Sequence, residues 1–238
     1  MPGGAYTALS GMQSRLDALD RLASDIANLD TAGYKSARAS QYAAARDFDM
    51  ALQSAVDVSR GGTRTDFSPG TITSTGGDLD VAIDGQGFFA IQSEGVVRYT
   101  RSGNFTRRTD GVLATMKGEP VLDEKLKPIK VGTGPLAIDA DGTVMVGGTP
   151  GGRIQLWQIA DAGLVRDGGA LFRAAPGVTP VRSDAPLVPK ALERANIAMA
   201  DRMTALVEVS RSFEALQRGI SVLMNDIDGR AVTELGKR

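Results

Sequence analysis

Apolar residues recur at alternating spacings of three and four near both ends of this 238-residue chain. The first set is Leu9, Met12, Leu16, Leu19, Ala23 and Ile26; the second is Met203, Leu206, Val209, Phe213, Leu216, Ile220, Leu223 and Ile227. That spacing lines each set along one side of a helix, the arrangement by which helices pack knobs into holes. It predicts a first helix over residues 5–29, reaching about 37 Å. Gly11 costs it roughly 1 kcal/mol relative to Ala and leaves the spacing intact. The helix should stop in NLDTAGYKS, where Asn28, Asp30 and Thr31 can bond local backbone and Gly33 can take positive φ. A last helix is expected to begin near residues 189–193 and to run to Asp228, before Gly229.

Between the ends the period changes. From Gly61 to about Arg182, short apolar strands are cut by glycine-bearing turns. DLDVAIDGQGFFAIQ reads as an alternating run, a Gly-x-Gly break and an aromatic strand in which Phe88 and Phe89 point to opposite faces. VVRYTRSGNFTRRTDGVLAT, LAIDADGTVMVGG and RIQLWQIADAGLVRDGG repeat the pattern of strand, turn, strand. No strand leads into a convincing amphipathic crossover helix, so mostly antiparallel pairing is favoured. The reading is α+β: terminal helices around a central, mostly antiparallel β-domain. Its segments are 1–35 (helix and helix-ending motif), 36–70 (linker), 71–188 (β-rich domain) and 189–238 (helix). Within the linker, DFDMALQSAVDVS is ambiguous and suggests a mixed, mobile stretch.

Composition removes several chemistries. The chain has no histidine and no cysteine, hence no imidazole base, Ser-His-Asp triad, HExxH zinc site, thiolate nucleophile or disulfide of its own. No catalytic, cofactor-binding or metal residue is assigned. The 27 basic and 28 acidic side chains nearly cancel, which gives a nucleic-acid surface no support from net charge. No apolar run is long enough to span a membrane, and the opening residues lack the basic and apolar regions of a secretory signal.

Motifs that suggest chemistry have plainer readings. GQGFFAI lacks the third glycine of a dinucleotide fingerprint. DADGTVMVGG lacks the twelfth-position glutamate of a calcium loop and reads as an Asp-Gly hairpin. Asp78, Asp80 and Asp84 are separated by even numbers of residues, as on one solvated sheet face. Arg98, Arg101, Arg107 and Arg108 suggest a local basic patch. Trp157 reads as sheet-facing. Carboxylate chemistry remains open, and with it a glycan hydrolase acting on peptidoglycan.

Three separated blocks resemble the flagellar basal-body rod family, which includes the hook protein. In the first, a helix ends in Ala27, Asn28, Thr31, Gly33, Tyr34 and Lys35. The second is DLDVAIDGQGFFAIQ followed by YTRSGNFTRRTDGVL. The third carries Leu192, Glu193, Asn196, Arg211, Phe213 and Glu214 in the family's order. Two features depart from the pattern: Asp25 replaces an asparagine, and Pro189-Lys190-Ala191 replaces a glycine-containing lead into Leu-Glu. The resemblance implies terminal helices packed as a coiled-coil-like rod core with the β-domain outside. It implies passage through the flagellar export apparatus, assembly with copies of itself and with other rod proteins across the periplasm, and transmission of torque to the hook. Length and the Arg-Ser-Phe-Glu order favour the proximal-rod branch over the distal one. A non-flagellar oligomeric β-domain protein is a further alternative.

Overall fold

The computed structural model describes the backbone of residues 2–39 and 63–235 and the side chains of 11–38 and 64–222. Most of the ambiguous linker therefore lies outside the described residues. The chain divides into a helical unit (Met1–Ala27, Ala37–Arg64, Ala198–Arg238) and a β-rich unit (Asn28–Ser36, Thr65–Ile197).

In the helical unit, α1 spans Pro2–Ala27 and α2 spans Met199–Leu235. Pro2 opens α1 at the position where a missing N–H goes unnoticed. The helices pack antiparallel. A Cβ placed on Gly11 would lie 3.9 Å from Leu216 Cδ1, and Asp25 Oδ2 lies 3.2 Å from Arg202 Nε. Both contacts fit one register, because Gly11 precedes Asp25 by as many residues as Leu216 follows Arg202.

The β-rich unit is built from short antiparallel pairings. Its largest sheet has six strands in the spatial order Leu164–Arg166, Leu171–Ala174, Val96–Thr100, Phe88–Ser93, Leu156–Gln158, Val181–Ser183. Period-2 alternation in Phe88–Ser93 divides the core. Phe89 and Ile91 join Phe105, Leu113, Val121 and Leu156 in one cluster, while Phe88 and Ala90 join Tyr99, Leu122 and Phe172 in another. Phe89 meets Phe105 edge-on at 5.1 Å. On the other face Phe67, Phe88 and Phe172 form a triangle with centroids 5.2–5.9 Å apart. Trp157 pairs with Phe88 across the sheet and packs on that second cluster. The Asp-Gly hairpin also forms: Thr143–Val146 pairs with Leu136–Ile138, and Asp141 Oδ1 accepts the Thr143 N–H at 3.0 Å.

The start of the last helix differs from the reading of the sequence. Leu187–Pro189 and Ala191–Glu193 are strands, paired with Val81–Ile83 and Ile72–Ser74. Between them Lys190 takes φ +56°, and its carbonyl accepts the N–H groups of Thr75 and Gly76 at 2.8 and 3.2 Å. Long-range pairing overrides the helix propensity of Ala191–Ala195, and α2 starts later. It then continues through Gly229. The left-handed residue falls where the family resemblance would put a glycine, a conformation that costs a side-chain-bearing residue about 1–2 kcal/mol.

Candidate functional site

The turn that follows α1 lies in the β-rich unit. The Thr31 N–H donates to the Asn28 carbonyl at 3.0 Å and the Tyr34 N–H to that of Thr31 at 3.2 Å. Gly33 has φ +65°, and a Cβ there would sit 2.2 Å from the Arg101 carbonyl carbon. Glycine is therefore required twice, by backbone conformation and by close approach.

That approach delivers the next residues into a buried polar cluster. Lys35 Nζ lies 2.6 Å from Glu193 Oε1, with side-chain exposures of 0% and 1%. The ammonium also donates to the Ser68 carbonyl at 2.8 Å, and the Gly70 N–H donates to the same carboxylate oxygen at 2.8 Å. Arg101 Nη1 stands 3.5 Å from Glu193 Oε2, while its Nη2 donates to the Gly85 carbonyl at 2.7 Å. Two cations thus share one carboxylate. Burial lowers the pKa of Lys35 and of Arg101, and the field of Glu193 pushes both back up. Removing the carboxylate would leave both charges without this compensation.

Backbone contacts extend the cluster into a clamp. The Gly33 N–H donates to the Glu193 carbonyl at 2.7 Å. Asn196 accepts the Ser36 N–H at 2.7 Å and donates to the Asp66 carbonyl at 2.8 Å. Arg166 donates to the Lys35 carbonyl and covers the Tyr34 ring, 4.9 Å from its centroid. The segment that follows α1 in sequence is bolted to the segment that precedes α2. This is a structural joint, with its charges turned inward.

The predicted seam residues fall in the helical unit. Met12, Leu19, Ile26, Leu206, Val209, Phe213, Leu216 and Ile220 are half-buried, and Ala23 is exposed. Leu16 and Met203 are 41% and 38% exposed. The side chains of Leu9, Leu223 and Ile227 lie outside the described residues. A groove of about 480 Å³ is lined by Leu19, Leu206, Val207, Ser210, Arg211 and Glu214. Asp25 is the fully buried side chain of this unit among the described residues, held by Arg202 and by the Ala37 N–H at 3.3 Å.

The other candidates disperse. Arg98 pairs with Asp167 and Glu94, Arg107 donates to the Gly134 carbonyl, Arg108 grips Asp110, and Arg101 is inside the clamp. The suggested basic patch therefore does not assemble: each guanidinium is neutralised or capped separately. Asp78 pairs with Lys190 at 2.8 Å and Asp80 accepts from Thr75, while Asp84 stands exposed. Sequence reasoning quoted Lys35, Asn196 and Glu193 as motif letters without seeing that they meet. Arg101 was read as part of a basic patch, and Arg166 and Ser68 carried no signal.

Comparison with known proteins decides what these motif letters belong to. Residues 6–35 match the family model described as flagella basal body rod protein, and 82–146 match that of the flagellar hook protein FlgE/F/G D1 domain. The flagellar basal-body rod protein FlgF of Caulobacter vibrioides is 34% identical, covering 100% of this chain and 99% of its own length. FlgF of Rhizobium meliloti is 31% identical over 99% of each. The chain belongs to the flagellar basal-body rod protein family. It is a structural component of the flagellar basal body. FlgG of Bacillus subtilis is also similar, 31% identical over 88% of this chain and 90% of its own length. The clamp joins the end of the first rod-family block to the third block of the resemblance, and the second block supplies Arg101 and the Gly85 carbonyl.

Proposed function

We propose that this chain is a proximal-rod subunit, with paired terminal helices that line a coiled-coil-like inner layer and a separate β-rich unit. Neighbouring subunits, copies of the chain and other rod proteins, complete the burial of the helical stripes. The observation that carries this reading is the incomplete cover of an ordered antiparallel helix pair. Its seam residues are half-buried, and Met199, Met203, Val207 and Val222 remain exposed at 38–66% along α2. Apolar rows of that length favour contact with further helices. Full-length similarity to two FlgF proteins supports the proximal assignment. In this reading the subunit reaches the periplasm through the flagellar export apparatus, needs no cofactor, carries torque and catalyses nothing.

Photo-crosslinking from the exposed Arg218 position in assembled basal bodies tests it. Crosslinks to proximal-rod subunits and to the adjoining distal rod are expected. A long ladder of self-crosslinks reaching the hook junction would make it a distal-rod protein instead. Peptidoglycan cleavage by the purified chain, abolished by one carboxylate substitution, would replace the structural reading with the hydrolase.

A further inference from the structure

The described side chains include four Asp-Gly pairs: Asp84–Gly85, Asp110–Gly111, Asp141–Gly142 and Asp167–Gly168. Such a pair can isomerise, because glycine places no Cβ beside the nitrogen that attacks the aspartate carboxyl. Three of the four are held against this. Asp110 is gripped by Arg108 and accepts the Val112 N–H at 3.3 Å, and the Gly111 N–H is tied to the Arg108 carbonyl at 3.0 Å. Asp141 accepts both the N–H and the hydroxyl of Thr143, while the Gly142 N–H donates to the Asp139 carbonyl at 3.0 Å. The Asp167 carboxylate is fixed by Arg98 Nε at 2.6 Å. Asp84 is different. Its carboxylate is exposed, and neither that group nor the Gly85 N–H has a hydrogen-bond partner among the described residues. Gly85 has φ +134°, a conformation that L side chains rarely adopt.

We propose that Asp84–Gly85 is a self-modification site, at which the folded protein converts aspartate to isoaspartate. The Gly85 nitrogen attacks Asp84 Cγ. An N–Cγ bond forms, a Cγ–O bond breaks, and the oxygen leaves as water with the amide proton and the carboxyl proton. Water then opens the five-membered imide. Attack at Cγ restores aspartate; attack at the main-chain carbonyl breaks its bond to nitrogen and leaves the chain running through the former side chain. One water is lost and one gained, with no oxidation. The product carries an extra backbone carbon immediately before Gly85, whose carbonyl holds Arg101 in the clamp. Isomerisation therefore draws one of the two cations away from Glu193.

The test is to age the full chain in mildly acidic buffer made with heavy-oxygen water and to map isoaspartate and label by mass spectrometry. Isoaspartate at residue 84 should lead the other three sites several-fold in the native chain, and the lead should vanish in urea. Equal native rates at the four sites, or a lead at Asp110, Asp141 or Asp167, would overturn the site. Asp84→Glu cannot close the five-membered ring and should abolish the modification there. Aged wild type should then melt below aged D84E. An equal loss of melting temperature in both would overturn the coupling to Arg101.

Discussion

The two units of this chain bury side chains in opposite ways. The β-rich unit has two closed apolar clusters, with Phe89, Ile91, Leu113, Val121 and Phe172 inaccessible. In the helical unit, the fully buried side chain among the described residues is a charged one, Asp25, and the apolar stripes stay half-open. A unit that fills its own core can persist alone. A helix pair that half-covers its stripes has surface left for more helices, as an assembling subunit requires.

The largest effect should come from the clamp. Glu193→Ala leaves Lys35 and Arg101 buried without their carboxylate and should destabilise the β-rich unit by about 3–5 kcal/mol in urea unfolding. A loss below about 1 kcal/mol would mean that the cluster behaves like a solvated pair. Phe89→Ala serves as the apolar yardstick on the same unit, with an expected loss of about 3–5 kcal/mol.

Gly33→Val comes next. It adds a branched side chain at positive φ against the Arg101 backbone, so the segment must leave the clamp. Loss of protection at the Gly33 and Ser36 amides in hydrogen exchange is the readout, and unchanged protection would show that the turn can shift. Leu216→Asp should sharpen the contrast from the other side. It puts charge into the helix contact and should prevent rod incorporation, while circular dichroism of the β-rich unit stays native. Normal incorporation would argue against the seam. In the isolated chain, amides of residues 11–27 and 199–222 should exchange faster than those of Phe88–Ser93. Equal protection would erase the contrast.

The smallest effect is one of pH. Hydrogen bonds from Thr143 hold the Asp141 pKa below its ordinary value. The folded group is thus the stronger acid, so its contribution is present above the unfolded pKa and fades as pH falls through the folded one. Asp141→Ala should remove a small part of the acid sensitivity seen in thermal melts. Identical acid limbs for the two proteins would assign that sensitivity elsewhere.

What the chain disclosed depends on the distance over which each feature is encoded. The alternation that separates Phe88 from Phe89, the Asp141–Gly142 turn and the stop at Asn28–Gly33 are local, and all were legible. The strands on either side of Lys190 were not. Ala191–Ala195 favours helix on its own, and only pairing with residues far earlier in the chain makes it extended. The clamp was legible in its letters and hidden in its geometry. Nothing in one sequence says that Lys35 meets Glu193.

That meeting also sets an order of events. Lys35 and Glu193 are separated by 158 positions, and closing a flexible loop of that length costs about 4–5 kcal/mol of chain entropy. The loop closes favourably only after the intervening strands have shortened it, so the clamp is a late event in folding. A chain emerging N-terminus first, from a ribosome or through a pore, holds Lys35 early and must wait for Glu193. Until Glu193 and Asn196 arrive, the segment after α1 has nothing to fasten to, and the β-rich unit stays unfinished. The joint can therefore form only in a chain that has arrived almost to the start of α2.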